Sequence, residues 1–467
     1  MRAPLLLLLA VSCCFAATRS VAAEDKSESK AADQDRYVVL ISVDGLAASY
    51  LHDPKAEIPT LRKLMEQGAT ADGMIASFPS VTWPSHTSLI TGTHPARHGV
   101  IGNGVWSRDK NRPLTYIGDP ELTKDQAIRA ATLYDVAHDA GYKTASVIWP
   151  CSNGAKSLDW VIPDSNKPEL HARFTTPGFV EELGAAAVDI SQLGKWGWAK
   201  ERSTERDIVY TQVANYLLEK RKVNLLLVHL ITPDGVEHNY GPHTREAYQA
   251  VAESDQRIGE IWKTLQQPPF AGKSTIMVVS DHGFAPYDKF IRPNVAFKEM
   301  GLVATDDGGK VTERKAWCVG QGGSAFIYLL DGEAKTDERK NEVRKKLESL
   351  EGVTAVLGPE KFAALGLPTP DKNSEAPDFV LTTGPGYSFN DGVTGDVVGT
   401  AGGPKGTHGH DPAPPYMHAS FIAAGAGIKP GVRLEKINNV DVAPTIAHLL
   451  GLKLEQADGR VLREILQ

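Results

Sequence analysis

Cysteine is scarce in this sequence, and its scarcity narrows the chemistry. Four cysteines occur in 467 residues. Two of them lie in an N-terminal segment with the marks of a cleaved leader, which leaves Cys151 and Cys318. A pair is too few for a disulfide scaffold or a thiolate zinc site, and the sequence leaves open whether the two bond or stay free. Long hydrophobic runs are missing beyond the N-terminus, so no later segment reaches the roughly 20 apolar residues of a membrane span. Excess positive charge is lacking as well. With 50 Lys and Arg against 57 Asp and Glu, the formal charge is −7, which gives no electrostatic reason to expect a nucleic-acid duplex or an anionic membrane as partner. An anionic substrate would need local help, and bound metal is one way to supply it.

What is present is an ordinary globular composition, 42% hydrophobic and 23% charged, with 43 glycines and 29 prolines that imply many turns. Arg2 followed by the apolar residues 5–11 and by Val21-Ala22-Ala23 reads as a signal peptide over residues 1–23. Export to the periplasm or outside the cell follows as an expectation, with lipid anchoring through Cys13 as the minor alternative. Residues 24–36 form a charged leader that is expected to be disordered. The remainder, 37–467, is long enough for one elaborated catalytic domain.

Order starts with the apolar run at residues 37–43, of the kind buried on both faces of a parallel sheet. Similar runs recur at 143–149, 224–230, 274–280 and 419–424. Apolar residues spaced three and four apart mark helices between them, as at Leu133, Val136, Ala137 and Ala140, or Val442, Ile446, Leu449 and Leu450. The alternation predicts an α/β fold with a largely parallel central sheet and helices on both faces. Residues 104–200 and 285–405 interrupt the rhythm and are expected to form a cap or rim that selects the substrate.

Acidic and imidazole residues fall where those strands end. Asp44 closes the first strand in SVDG, Asp234 and His238 follow the third in TPDGVEH, and Asp281 and His282 end the fourth in SDHG. Ligands of open α/β sheets bind outside the carboxyl ends of strands, so three strands deliver these side chains to one edge. Carboxylates and imidazoles in that number suit zinc or a similar divalent ion, and a further histidine from GPKGTHGHDP would complete the set. On chemistry His408 and His410 both qualify. Thr82 stands directly before Trp83-Pro84 at the start of a short helix, where backbone N–H groups and the helix dipole favour an anion. Its local sequence alone reads as an N-cap. Coordination to a divalent ion would lower its pKa and make it a nucleophile.

With these residues in hand, the chain resembles the nucleotide pyrophosphatase/phosphodiesterase family of the alkaline phosphatase superfamily. The motifs that carry the resemblance are SVDG, VTWPSHTSLITGTHPARHGVIGN, PDGVEHNYGP, SDHGF and GTHGHD, in that order from Val38 to about Leu452. The resemblance implies an alkaline-phosphatase-like fold and two metal ions. It assigns one ion to Asp44, Thr82, Asp281 and His282 and the other to Asp234, His238 and His408, choosing His408 over His410. It also implies that Asn103 binds a phosphoryl oxygen and that Thr82 attacks phosphorus, giving a covalent threonyl intermediate. Two motifs depart from the family: Thr82-Trp-Pro-Ser-His86 stands for T-F-P-N-H, and Trp149-Pro-Cys-Ser152 for W-P-G-S.

The resemblance implies hydrolysis of a small phosphate diester, either a nucleotide or a phospholipid-like molecule. The Lys-x-Arg pair of related phosphomonoesterases has no counterpart, which leans away from monoesters and phosphonates, the main alternative. Sulfatase chemistry lacks its Cys-x-Pro-x-Arg context, and a non-catalytic binding protein would not need every ligand and the nucleophile. Trp83, Asn103, Trp149 and Tyr240 are the expected substrate contacts, and Trp106 and Trp160 are further candidates to stack on a side group.

Overall fold

The strand Tyr37–Val43 is buried at every residue, which is why its sequence is an unbroken apolar run instead of an alternation. In the computed structural model, which describes Met1, residues 35–196 and residues 202–467, it lies inside an eight-stranded sheet. Edge to edge, the order is Val432–Asn438, Ala69–Ile75, Phe421–Gly425, Ser274–Val279, Tyr37–Val43, Leu225–Leu230, Thr144–Val147 and Trp160–Ile162. Phe421–Gly425 is antiparallel to both neighbours, and the other pairings in this sheet are parallel. The expected signal peptide, the Cys13 alternative and nearly all of the expected leader fall outside the described residues. Among the described residues no helix is long and apolar enough to cross a membrane.

Strand side chains alternate between two apolar clusters, so both faces need cover. Val38, Leu40, Leu225, Leu227, Met277 and Val279 enter one cluster, together with Leu89 and Ile90 of the helix Thr82–Thr91 and with residues of Leu133–Asp139 and Val442–Leu449. Val39, Ile41, Leu226, Val228, Ile276 and Val278 enter the other, covered by Pro59–Gln67, Ser203–Tyr216 and Arg245–Leu265. The residues Ala32–Gln467 form one compact unit.

The two interrupting segments are built differently. Within 104–200, Gly104–Ser107 and Arg112–Thr115 form a separate hairpin, but Thr144–Val147 and Trp160–Ile162 are strands of the central sheet. That stretch is therefore partly core, because the apolar run at 143–149 continues the parallel pairing. Residues 285–405 do build structure of their own. Ala285–Ile291, Gly386–Phe389 and Val398–Thr407 make a three-stranded sheet, and four further strands make an antiparallel one, flanked by the charged helix Asp337–Glu348. Cys151 and Cys318 are both buried free thiols.

One buried carboxylate fixes the helix that follows the strand Leu225–Leu230. Asp207 is 1% exposed. It accepts from the Ile231 N–H at 2.9 Å, the Thr232 N–H at 3.0 Å and the Thr232 hydroxyl at 2.6 Å, satisfying donors at the start of the helix Thr232–Tyr240. Asp207→Ala leaves those buried donors without their acceptor. The expected cost is about 1–3 kcal/mol in unfolding free energy measured by urea titration, and an unchanged midpoint would show that the helix start is held by other contacts.

Candidate active site

Each strand end contributes to one buried polar cluster. Asp44 follows Tyr37–Val43 directly, and Asp281 and His282 follow Ser274–Val279 after one serine. Asp234 and His238 lie one turn apart on Thr232–Tyr240, and His408 follows the strand Val398–Thr407 of the three-stranded sheet. Ligand atoms of Asp44, Asp281 and His282 lie within 4.8 Å of one another, and so do those of Asp234, His282 and His408. His282 Nε2 is 3.4 Å from Asp44 Oδ1 and 3.2 Å from Asp281 Oδ2. His238 Nε2 is 3.2 Å from Asp234 Oδ1, and His408 Nε2 is 3.5 Å from the same oxygen.

The structure thus brings together all six carboxylate and imidazole residues expected from sequence. His238 and His408 both meet Asp234, and His282, whose ring stacks face to face on that of His408 at 3.8 Å, also lies within reach of Asp44 and Asp281. His238 reaches Asp234 from the more open side, its Nδ1 3.2 Å from the Gly406 carbonyl. Gly406 allows that approach, since a Cβ there would come within 2.4 Å of the Glu237 carbonyl. His410 is fully buried against Gly323 and forms no part of either triad.

The electrostatics of this cluster suit a cation. Burial, and then the charges of Asp281 and Asp234, hold the Asp44 carboxyl well above the ordinary range. Burial pushes Asp281 up to about 7, the Gly45 N–H pulling it back and Asp234 adding to the rise. Burial would also raise Asp234, but His238, and behind it His408 and His282, hold it below the usual range. Burial followed by His408 keeps the His282 imidazole well below its ordinary value, hence neutral. Asp44 Oδ1, Asp234 Oδ1, Asp281 Oδ2 and His282 Nε2 are buried with no hydrogen-bond partner. Buried polar atoms normally find one. Oxygen and nitrogen donors left over in two triads fit divalent ions of the zinc type.

Thr82 is the first residue of the helix Thr82–Thr91, and Val81 takes the cap position. The local reading of Thr82 as the N-cap is therefore corrected: it lies one position inside the cap, where its backbone is already helical. Asn103 lies beside it. Its Oδ1 accepts the Trp83 N–H at 2.9 Å, which leaves Nδ2 as the end that can donate to a substrate. Gln321, which the sequence gave no reason to single out, holds Asn103 from both sides, accepting from its N–H at 2.9 Å and donating to the Gly104 carbonyl at 2.7 Å.

The expected aromatic contacts divide. Trp149, expected as a substrate contact, is 0% exposed and packs edge-on against His86, a core position beneath the helix. Trp106 is buried too, and Arg221 lies over Trp160 at 5.4 Å. Trp83 is buried and stacked on Tyr116, ring centres 5.7 Å apart. Tyr240, at the end of the helix that carries His238, is 52% exposed. Two histidines to which the sequence assigns no role also line the cluster. His229 Nε2 is 2.9 Å from Asp44 Oδ2, and His86 Nδ1 is 2.8 Å from the Thr82 carbonyl. Burial lowers the His229 imidazole to about 4. The one available signal was a polar residue inside the apolar run NLLLVHL.

Comparison with known proteins finds relatives in sequence and in fold. The sequence profile of the family described as type I phosphodiesterase / nucleotide pyrophosphatase matches residues 38–411. The chain is 24% identical over 434 residues to a Schizosaccharomyces pombe protein named as a pyrophosphatase/phosphodiesterase, covering 90% of this chain and 78% of that one. It is 22% identical over 436 residues to ectonucleotide pyrophosphatase/phosphodiesterase family member 7 of Rattus norvegicus, covering 91% of this chain and 86% of the relative. The solved structure of murine ectonucleotide pyrophosphatase/phosphodiesterase 5 superimposes with a TM-score of 0.68 at 19% identity, over 92% of this chain and 100% of that one. An inactive threonine-to-alanine variant of the murine protein has been solved with AMP. The fold is the alkaline-phosphatase-like α/β architecture of these proteins.

The raised Asp281 carboxyl sets a pH dependence for metal binding. Its native value of about 7 exceeds the ordinary 3.8. Without a cation, this group contributes stability at low pH that is lost as pH rises toward about 7. A cation must displace the proton, so metal binding strengthens over the same window. The gain in Tm on adding zinc to chelator-treated protein is therefore expected to grow between about pH 5 and pH 7. A thermal shift that is absent, or that shrinks with pH, would contradict the assignment.

Proposed function

Because the chain belongs to the type I phosphodiesterase/nucleotide pyrophosphatase family, we propose that it is an exported two-metal phosphodiesterase that cleaves its substrate through a covalent intermediate on Thr82. Hydrolysis of phosphate esters is the family's activity, and the chain is a phosphoric ester hydrolase. The finer reading is carried by one observation: ligand oxygens of Asp44, Asp234 and Asp281 lie buried and unpartnered in the cluster expected to receive Thr82. One zinc-type ion is assigned to Asp44, Thr82, Asp281 and His282, the other to Asp234, His238 and His408. Such ions lower the pKa of a coordinated hydroxyl and offset the charge of the phosphoryl oxygens.

The residues of the chain then divide the work. Thr82 Oγ attacks phosphorus in line and displaces the leaving group. Asn103 Nδ2 donates to a non-bridging oxygen, its orientation fixed because Oδ1 is committed to the Trp83 N–H. Water hydrolyses the threonyl ester and frees Thr82. The inactive threonine-to-alanine variant of the murine relative supports this role for Thr82. Residues 37–467 act as one catalytic domain, with the 104–115 hairpin and the 285–405 segment as its rim. The AMP complex of the murine relative favours a nucleotide over a phospholipid-like diester, and Tyr240, with its exposed ring, borders the bound side group together with Trp83. The "ecto" in the names of the relatives and the signal-like residues 1–23 support export.

Thr82→Ala is expected to abolish turnover of bis(nitrophenyl) phosphate, a loss of at least about a thousandfold, while zinc content falls only in part. Wild-type protein should cleave that diester faster than nitrophenyl phosphate. Retained turnover in the variant would sink the covalent mechanism, and faster cleavage of the monoester would move the substrate class to phosphomonoesters.

A further inference from the structure

We propose that His229 is a positioning residue, which fixes from below the carboxylate of Asp44 and thereby selects the oxygen that faces the metal. The inference rests on the reading of Asp44 as a metal ligand. His229 sits within the strand Leu225–Leu230, level with Ser42 of the neighbouring strand, and by alternation shares its face with Leu225 and Leu227. It is 0% exposed. An imidazole in an apolar strand costs free energy unless its nitrogens find partners. Nε2 is 2.9 Å from Asp44 Oδ2 and Nδ1 3.3 Å from the Ile148 carbonyl, and the single N–H of the neutral ring is assigned to Nε2, which has the shorter contact.

The two oxygens of Asp44 are thereby made unequal. Oδ2 accepts from His229, while Oδ1 is buried, has no hydrogen-bond partner, and lies 3.4 Å from His282 Nε2. A carboxylate free to rotate about its last bond would present either oxygen. With Oδ2 anchored, Oδ1 is the one presented. The neighbouring imidazole does not share this task. His86 packs against the His229 ring at 4.3 Å, but its Nδ1 is committed to the Thr82 carbonyl at 2.8 Å. Its 3.6 Å separation from Asp281 Oδ2 is too long for a hydrogen bond. The direct link from this buried imidazole layer to a ligand carboxylate runs through His229. Partners of this kind orient metal ligands, and their loss typically costs about 10–100-fold in metal affinity.

A histidine that merely fills the core would be indifferent to where a replacement puts its N–H. Glutamine carries an amide N–H near the position of Nε2 and asparagine only near that of Nδ1, so the pair His229→Gln and His229→Asn separates the two roles. Full-length protein is stripped, reloaded with zinc, and titrated for affinity, alongside kcat and KM on bis(nitrophenyl) phosphate and Tm with and without zinc. His229→Gln is expected to stay within about threefold of wild type in zinc affinity, and His229→Asn to lose about tenfold or more, with kcat falling and KM within about twofold. Their metal-free Tm values should match. Equal zinc affinity in the two variants, or failure of both to fold, would overturn the proposal by marking a structural role. Wild-type protein that binds no zinc, or an Asp44→Asn variant that keeps both ions, would instead refute the metal reading on which the proposal rests.

Discussion

Three carboxylates and three imidazoles, Asp44, Asp234, Asp281, His238, His282 and His408, are gathered at one edge of the sheet, and Asp44, Asp281 and His282 are fully buried. Ligand atoms of Asp44, Asp281 and His282 all lie within 4.8 Å of one another. Two unit negative charges at that separation repel by roughly 3.5 kcal/mol at an effective dielectric of about 20, before the cost of desolvating either. Raised carboxyl values at Asp44 and Asp281 are one expression of this tension, and the unpartnered oxygens are another. The local architecture depends on relieving it with positive charge.

The scaffold around the cluster is built to keep those groups from relaxing apart. Asp44 and Asp281 leave adjacent parallel strands, so their backbones are fixed by the sheet, and the Gly45 N–H reaches across to Asp281 Oδ1 at 3.1 Å. Asp234 is held at the start of its helix by the Asp207 bonds. His408 arrives from the separate three-stranded sheet, whose strand Ala285–Ile291 follows directly after Asp281 and His282. On the Thr82 side, Gln321 braces Asn103, and Asn103 braces the first turn of the helix that Thr82 opens. Rigid supports of this type let a site present unsatisfied donors and acceptors to a ligand.

Much of this was legible in the chain, and the failures have physical causes. Runs such as YVVLISV can only be strands buried on both faces, so the central sheet and the residues at its edge were readable. Direction was not, because the apolar run at 419–424 looks the same whether parallel or antiparallel, and it is the latter. Residues 104–200 carried loop-like composition that hid the edge strand Trp160–Ile162, which is only three residues long. Trp149 could be placed on a rim or in the core only by knowing that His86 lies over it.

By itself, then, the sequence determined the α/β class, the edge at which the acids and imidazoles collect, and Thr82 as a hydroxyl at a helix start, since strand burial, ligand type and helix starts are all local in chemistry. Tertiary structure decided the rest: that His408 and not His410 meets Asp234, that His282 stands between the carboxylates, and that His229, a lone polar residue in an apolar strand, bonds Asp44. Those outcomes depend on distances between residues up to hundreds of positions apart. Such distances are set by the packing of whole strands and sheets, and no local run of sequence encodes them.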